Sequence, residues 1–415
     1  MKKLFSLVLA VAMVLSMACF ASAEENTTLT IVAWDVGTTP YYQAQKEAFE
    51  ATHPGVTIEY VDVASQDWDT KAGTMLSGGD TSDLFMVKQN INIMNWAQQG
   101  FAEPLTDYIA KNNYDLSGFV GMDPNYALDG TQYALPFRSD FWVLFYNKTL
   151  FDAAGVAYPT NDMTWEEYAA LAKEMTGKGN CKYGCHYHTW RSAASLFSIL
   201  DGKNTIIDGK YDFMKPTYDM VIAQQKDGIC MDYGYLKTSS LHYSAAFENQ
   251  QCAMVNMGSW FISTLEAYMK DAETKFNWGI VKYPHPAGAE AGSTLGTVTS
   301  LAINADSPKA ETAADFINWC VSEEGAQAIA KTGTFPACGS AATAEIIKST
   351  EGFPEDSNSV DALTTSNVYL EMPYTQYASD IETILNAEHD AIMTMSETVD
   401  EGIQNMNDQV PAVLG

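Results

Sequence analysis

ALPFRSDFWVLFYNKTLFDAAGV, residues 134–156, combines an apolar core segment with a pair of opposite charges. Residues 141–146 form a short continuous apolar run, which is the pattern of a buried strand. Arg138 and Asp140 stand directly before that run, where burial of an unpaired charge would be costly. The stretch therefore predicts a core strand that begins at a polar site.

The first residues predict export from the cytoplasm. Two lysines precede an apolar stretch at residues 4–15, and Ala-Ser-Ala follows, which is typical of a secretory signal peptide spanning residues 1–23. A transmembrane helix fits less well, because a bilayer needs about 20 apolar residues. Lipidation at Cys19 is the alternative, but Ser16 stands where such sites usually carry an aliphatic residue. We therefore expect a secreted or extracytoplasmic protein, in the periplasm or at the cell surface.

The composition limits the partners that the protein can have. Its 415 residues include 52 acidic and 23 basic residues, and the formal net charge is −29. Such a surface repels phosphate backbones and anionic lipids, which argues against nucleic acid and favours a neutral or cationic ligand. The length exceeds what one hydrophobic core usually organises, so we expect two domains.

Cysteine and histidine cluster in CKYGCHYH, residues 181–188. The cluster fits a zinc site in principle. A disulfide between Cys181 and Cys185 would satisfy the same thiols, and histidines beside aromatic residues also line pockets. Six cysteines remain apart from Cys19, an even number that suits disulfides in an exported protein, and their pairing stays open. We predict no metal and no cofactor.

Strand and helix patterns alternate along the N-terminal part of the chain. Apolar spacing predicts strands at residues 28–34, 56–63 and 83–88, with helices between them at residues 41–52 and 71–76. This alternation predicts a parallel sheet covered on both faces. Ligands bind such sheets at the carboxyl ends of the strands.

The same pattern continues further along the chain. TWEE at residues 164–167 predicts a capping box at the start of a helix. A strand at residues 301–303 precedes Ser307 as the N-cap and Pro308 as the first residue of another helix. Apolar residues three or four apart from 381 to 406 predict a long amphipathic helix.

Motifs of common enzymes are missing from the sequence. It contains no G-x-S-x-G, H-E-x-x-H, G-x-x-x-x-G-K-[ST] or EF-hand loop. Paired carboxylates of a glycosidase stay open, because they can come from distant parts of a sequence. The sequence thus favours a binding protein over an enzyme and offers no catalytic residue.

Aromatic residues make up 12% of the chain and often stand beside charged residues at the ends of predicted elements. A sugar ring has an apolar face and a polar rim, so its site needs flat aromatic surfaces beside hydrogen-bonding groups. Core packing is the alternative for each tryptophan taken singly. The coincidence of the two residue types favours a pocket that includes Trp34, Trp68, Trp142, Trp190 and Trp260.

These stretches resemble a known family. ALPFRSDFWVLFYNKTLFDAAGV followed by TWEEYAALAKEMT is similar to the signature of bacterial extracellular solute-binding proteins of the sugar type, which include maltose-binding protein. THPGVTIEYV, LSGGDTSDLFMV, FENQQCAMVNMGSW and LAINADSPKAETAADFINWCVSEEGAQAIAKTGTFPA agree in the same order. Two segments depart from the pattern: Thr81-Ser82-Asp83 lacks the usual proline, and CKYGCHYHTWRS is unfamiliar.

The resemblance implies an α/β fold with two Rossmann-like lobes, a central ligand cleft and hinge crossovers, the periplasmic-binding-protein type. It assigns residues 24–138 and 290–336 to lobe 1, and residues 139–289 and 337–415 to lobe 2. Such proteins close around their ligand by a hinge motion. The implied function is a monomeric receptor that binds an oligosaccharide and delivers it to a membrane ABC permease.

Within this resemblance, Arg138 and Asp140 line the cleft floor at a crossover, or they form a local salt bridge that steadies the hinge. A receptor of the same fold for another solute, such as a polyamine, metal complex or amino acid derivative, stays open. So does a secreted carbohydrate-active enzyme. We expect the ligand-binding residues to be Trp34, Asp35, Trp68, Gln89, Arg138, Asp140, Trp142, Trp190, Arg191, Trp260, Thr297 and Phe335.

Overall fold

The structure is a computed structural model, and it describes residues 26–88, 90–116, 127–128, 130–273, 275–373, 375 and 377–414. The predicted signal peptide and Cys19 lie outside these residues. The strands are β1 (Thr27–Trp34), β2 (Val56–Val63), β3 (Leu84–Val87), β4 (Ala127–Leu128), β5 (Thr131–Gln132), β6 (Leu135–Asn147), β7 (Tyr183–His186), β8 (Cys252–Gly258), β9 (Trp278–Lys282), β10 (Ser293–Ile303) and β11 (Asn367–Leu370).

The α-helices lie between and after these strands. Those before β8 are α1 (Tyr41–Thr52), α2 (Trp68–Ser77), α3 (Asn90–Gln98), α4 (Thr106–Asn112), α5 (Lys148–Ala154), α6 (Trp165–Met175), α7 (Arg191–Ala194), α8 (Lys215–Lys226), α9 (Tyr233–Ser239) and α10 (Tyr243–Glu248). Those after β8 are α11 (Trp260–Asp271), α12 (Ala310–Cys320), α13 (Glu323–Ala330), α14 (Ala341–Lys348), α15 (Ser357–Asp361), α16 (Ala378–Met393) and α17 (Val399–Leu414).

One sheet runs through the whole described structure. Its strand order is β2-β1-β3-β10-β6-β8-β7, with β11 paired to β10 and β9 to β6. β1 is parallel to β2 and β3, and β7 is parallel to β8. β10 is antiparallel to β3 and β6, and β6 is antiparallel to β8. The long strands β6 and β10 therefore join a β1–β3 half to a β7–β9 half.

Two hydrophobic cores lie on the two sides of that central strand pair. The first core draws its residues from 29–137 and 298–338, and the second from 142–295 and 353–410 together with Ile91. β6 enters the first core with its early residues and the second with its late ones, and β10 does so in reverse. The two-lobe α/β fold is confirmed. We call the parts around the first and second cores lobe 1 and lobe 2.

Most predicted elements are confirmed. The predicted bounds of β1, α1 and β2 hold to within one residue, whereas α2 is longer and β3 shorter than predicted. The capping box of α6 is present, since the Thr164 hydroxyl accepts from the backbone N–H of Glu167 at 3.3 Å. The Glu167 carboxylate in turn accepts from the backbone N–H of Thr164 at 2.9 Å.

The predicted start of α12 is wrong. The helix begins at Ala310, so Pro308 is not its first residue and Ser307 is not its N-cap. The Ser307 hydroxyl instead accepts from the backbone N–H of Lys309 at 3.0 Å and donates to the Asp83 carboxylate at 2.7 Å. These bonds close a turn that attaches the segment to the start of β3 before the helix begins.

The C-terminal segment forms two helices, not the one long helix predicted. Met395 has a positive φ of 58° between α16 and α17, which ends the first helix and turns the chain back on itself. Both helices bury apolar residues in the core of lobe 2. Among the described residues, no helix combines the length and apolar character required to span a bilayer.

Glu266 of α11 is a buried carboxyl group in lobe 2, only 7% exposed. Its Oε2 atom lies so close to Gly333 that a Cβ built there would be 2.6 Å away, and its stem lies beside Gly352. Its Oε1 atom has no hydrogen-bond partner among the described residues. Burial raises the pKa of Glu266 to about 8.

We expect Glu266→Gln to change the pH dependence of stability. The folded protein holds the Glu266 proton more tightly than the unfolded chain, whose pKa is about 4.5, so this group's contribution to stability falls as pH rises between these values. From pH 5 to pH 8, the free energy of unfolding of the variant should rise relative to that of wild type by on the order of 2 to 4 kcal/mol. Urea unfolding at both pH values measures this, with exposed Glu345→Gln as the control. An equal effect of the two variants would contradict it.

Candidate functional site

An ion pair lies where β6 passes from lobe 1 to lobe 2. Arg138 Nε is 3.0 Å from Asp140 Oδ2, and both side chains are buried. The Arg138 guanidinium also donates to the Thr299 hydroxyl on β10 at 2.8 Å and lies 5.1 Å from the Tyr41 ring centroid. The Ser259 hydroxyl donates to Asp140 at 2.8 Å. The pair is thus bonded to both central strands and to the start of α11.

Electrostatics at the pair favour a charged guanidinium. Burial by itself lowers the pKa of Arg138, but Asp140 and the neighbouring tyrosine hydroxyls raise it above its usual value. Burial raises the pKa of Asp140, while Arg138 and Ser259 oppose that rise. The structure therefore shows the local ion pair, one of the two alternatives, and contact with a ligand stays a prediction.

A third chain segment lines the same crossover. The Ser139 N–H donates to the Phe335 carbonyl at 3.1 Å, and the Ala337 N–H donates to the Phe137 carbonyl at 2.9 Å. The Phe335 ring packs edge-on against Phe141, with centroids 5.0 Å apart. Residues 335–337 therefore run beside β6 across the hinge.

Aromatic rings from both lobes form a row above this floor. Lys88, which directly follows β3, places its ammonium 5.8 Å from the ring centroid of Trp34 in lobe 1 and 5.9 Å from that of Trp190 in lobe 2. Trp190 lies 6.1 Å from Trp260, which lies 5.7 Å from Trp142. We call the four tryptophans the aromatic row, and Lys88 lies over the first two of them. Because it crosses from one core to the other, the row lies between the two lobes.

Trp260 occupies its place because residue 258 is glycine. A Cβ built on Gly258 would lie 2.1 Å from Cζ3 of the Trp260 indole, a distance that no real contact allows. Gly258 therefore makes room for the indole of Trp260. The strand-to-helix turn after β8 then holds the half-buried ring at the cleft.

The far end of the row is tied to the C-terminal part of the chain. Trp142 is buried, and its indole N–H donates to the Glu371 carboxylate, which follows β11. Burial raises the pKa of Glu371 to about 7, although the bond from Trp142 and the charge of Arg191 oppose the rise. Trp142 thus supports Trp260 from beneath.

Other predicted site residues take different positions. Trp68 is fully buried and packs edge-on beneath Trp34, with centroids 4.9 Å apart. Arg191 is buried in lobe 2, where it bonds to Glu382 at 2.7 Å and so fixes α16. Asp35, at the end of β1, accepts from the backbone of Ser65 at 3.3 Å.

Two predicted site residues remain, and the structure describes one of them. Thr297 is half-buried on β10 and lies opposite Asp140 in the β6–β10 register. Gln89 lies outside the described residues. The structure thus brings the hinge residues and the aromatic row together, and it places Trp68 and Arg191 behind them.

Sequence reasoning missed Lys88 and His242, whereas it did offer the histidines at residues 186 and 188 as pocket-lining residues. Lys88 stands at the carboxyl end of β3, so its position at a strand end was the available signal. His188 lies 4.5 Å from Trp190 and 5.6 Å from His242, and Tyr243 packs against both histidines. His242 and Tyr243 start α10, far from any predicted site residue in sequence.

The cysteine-rich segment carries neither a disulfide nor a metal cluster. Cys181, Cys185, Cys230, Cys252, Cys320 and Cys338 are all free and buried. Burial raises the pKa of Cys181 to about 11 and that of Cys338 to about 12. Within the described residues, no three His, Cys, Asp or Glu side chains are arranged to hold a metal ion.

Two α/β lobes joined by β6 and β10, with aromatic rings from both lobes meeting beside a polar crossover, define a protein of the two-lobe type. The sequence profile described as "Bacterial extracellular solute-binding protein" matches residues 35–327, more than half of the chain. The protein belongs to this family. It is a solute-binding protein, and its family places it outside the cytoplasm.

Relatives by sequence include binding proteins. A putative binding protein of Brucella abortus is 33% identical over 177 residues, which make up 41% of this chain and 40% of that protein. The sn-glycerol-3-phosphate-binding periplasmic protein of Yersinia pestis is 24% identical over 322 residues, 71% of each chain. The match thus spans less than half the length of the Brucella relative.

Solved structures share the whole fold. A sugar transporter from Rhizobium etli, in an open conformation, is 43% identical, with a TM-score of 0.75 over 93% of this chain and 99% of its own. An ABC substrate-binding protein from Listeria monocytogenes in complex with cycloalternan has a TM-score of 0.80 over 94% of this chain and 99% of its own. At 22% identity, the second likeness shows the fold alone.

We expect Gly258→Ala to move Trp260 out of the row. The added methyl group would overlap the indole, and overpacking of this kind typically costs about 1 to 3 kcal/mol. Gly73→Ala in α2 is the matched control, because a Cβ there meets no atom within 4 Å. Tryptophan fluorescence and melting temperature measure both variants. A Gly258→Ala protein with wild-type emission and stability would contradict the packing described.

Proposed function

We propose that the protein binds an oligosaccharide in the cleft between its lobes and delivers it, as a monomer and without chemical change, to a membrane ABC permease. Lobe 1 is proposed to comprise residues 24–138 and 290–336, and lobe 2 residues 139–289 and 337–415. The proposed ligand contacts are the aromatic row and the hinge residues. Removal of residues 1–23 on export is part of the same proposal.

The observation that carries the proposal is the row of rings from both lobes beside a polar floor. Indole faces at Trp34, Trp190 and Trp260 suit the C–H faces of successive sugar rings, and a row of them suits more than one ring. Hydroxyl groups of a sugar need donors and acceptors, which Thr297 and the nearby ion pair supply. Such a mixture of flat apolar surfaces and a few polar groups is typical of ligand sites.

The ligands named for similar proteins support an oligosaccharide as the class of ligand. Cycloalternan is bound by the Listeria protein, maltose by a Thermotoga maritima protein and mannotriose by another of the same fold. The sn-glycerol-3-phosphate named for the Yersinia relative is the specific observation that favours a second candidate, a small non-sugar solute. A secreted carbohydrate-active enzyme is the third candidate.

A thermal-shift panel separates the first two candidates. A ligand that binds only the folded state stabilises it by RT ln(1 + [L]/Kd), so a tenfold excess over Kd gives a measurable rise in melting temperature. We expect oligosaccharides, and not polyamines, amino acids or glycerol phosphate, to raise it. Chromatography of the sugar after incubation should return it unchanged, whereas a shortened sugar would favour an enzyme.

We expect Trp260→Ala to be the most costly single substitution for sugar binding. It removes a flat surface of about 150 to 250 Å² and should weaken binding by about 1 to 3 kcal/mol. Trp319→Ala is the matched control, because Trp319 is a buried tryptophan of α12 in lobe 1. It should lower the melting temperature and leave affinity unchanged. Calorimetry of both variants tests this, and unchanged affinity in Trp260→Ala would contradict the assignment.

A further inference from the structure

Lys88 is a cation in the cleft without a direct counter-charge. Its ammonium donates to the Ser65 carbonyl at 2.7 Å, and it faces Trp34 and Trp190 on its other sides. No carboxylate oxygen of the described residues lies within 4 Å of it, in contrast to the hinge pair. An ammonium group has three donors, so Lys88 has donor capacity to offer a ligand.

Two histidines approach the same point from lobe 2. His188 packs edge-on against Trp190, the ring that Lys88 also faces, and lies 5.6 Å from His242. His188 is 7% exposed, and its Nδ1 atom has no hydrogen-bond partner among the described residues. Lobe 1 therefore supplies an ammonium and lobe 2 two imidazoles to one part of the cleft.

Burial disfavours the charged form of each of these three groups. Burial lowers the pKa of Lys88, and the more distant carboxylates of Asp69 and Asp35 only partly oppose this. Burial also lowers the pKa of His188, and His186, His242 and Lys88 add to the effect. For His242, burial and Lys88 lower the pKa, while Asp35 opposes them. An anion bound between Lys88 and the two imidazoles would give the ammonium the direct counter-charge that it lacks.

We propose that the sugar taken by this cleft carries a carboxylate, held by the Lys88 ammonium with His188 and His242 opposite it. The inference rests on the proposed function and narrows it to acidic sugars. One ammonium matches the single charge of a uronate. A phosphate dianion needs more than one cation, and the Asp35 carboxylate nearby would repel it. Arg138 and Arg191 are already paired with Asp140 and Glu382.

Local charge here differs from that of the whole molecule. The net charge of −29 repels anions at long range, but the Debye length at physiological ionic strength is about 8 Å. Inside a closed cleft the nearest groups dominate, because short, weakly screened interactions exceed distant ones. An acidic receptor surface is therefore compatible with an anionic group bound at Lys88.

The test compares sugars that differ only in charge. Calorimetry on the full chain measures oligosaccharides of two to four residues that carry a single uronate, each against the same saccharide with CH₂OH in place of the carboxylate, and glucose 6-phosphate as the phosphate probe. We expect at least one uronate to bind tenfold or more tightly than its neutral partner, with affinity that falls as salt rises and increases as pH falls from 7.5 to 5.5. The pH effect follows because a bound anion raises the pKa of both histidines.

Variants separate a direct contact from an indirect effect. Lys88→Gln should bring the uronate-to-neutral affinity ratio close to one, and Lys88→Arg should keep it above threefold. Lys71→Gln, at an exposed lysine of α2 paired with Asp67, should leave the ratio unchanged. Melting temperatures show that each variant is folded.

Three results would overturn the inference. If every neutral sugar that binds does so as tightly as its uronate partner, or if the affinity ratio survives Lys88→Gln, the carboxylate site is ruled out and the sugar receptor remains. If glucose 6-phosphate binds and no uronate does, the site takes a phosphate and the carboxylate inference is wrong. If no sugar of either set binds, the proposed function fails together with the inference.

Discussion

The ion pair between Arg138 and Asp140 is the interaction on which the region between the lobes depends. It contacts Tyr41 of lobe 1, Thr299 of β10 and Ser259 at the start of α11. Loss of one partner of such a buried pair typically costs about 3 to 5 kcal/mol, because the other charge is left unpaired. The pair therefore fixes how the aromatic row meets the hinge, since Trp260 follows the serine bonded to Asp140.

β6 and β10 give the hinge its form. They are hydrogen-bonded through the crossover, and their register shifts between Thr299 and Ser300, next to the ion pair. A bulge bends and twists a strand without breaking the ladder on either side. Any movement of the lobes must therefore change the twist of a continuous sheet, because β6 and β10 are paired through the crossover and residues 335–337 are bonded to β6 there.

The sequence predicts the fold better than the site, and the reason is the range of the interactions. Periodicity is local, so β1, α1, β2 and the α6 capping box could be read directly. Trp34 and Trp68 both stand at element ends with charged neighbours, yet only the packing of α2 decides that one faces the cleft and the other lies beneath it. Pairing between distant residues, as in Arg191 with Glu382 and Lys88 with Trp190, leaves no local pattern. The same applies to Ser307, whose bond to Asp83 overrides a favourable N-cap sequence.

The six buried free thiols make the yield of correctly folded protein depend on how fast the chain folds. Disulfides form readily outside the cytoplasm, and an unfolded cysteine has an ordinary pKa of about 8.5, so part of it is a reactive thiolate. In the folded chain, burial removes access and raises the pKa of thiols such as Cys181 and Cys338. Protection therefore exists only after folding is complete. Outside the cytoplasm, folding of the chain therefore competes with the formation of non-native disulfides.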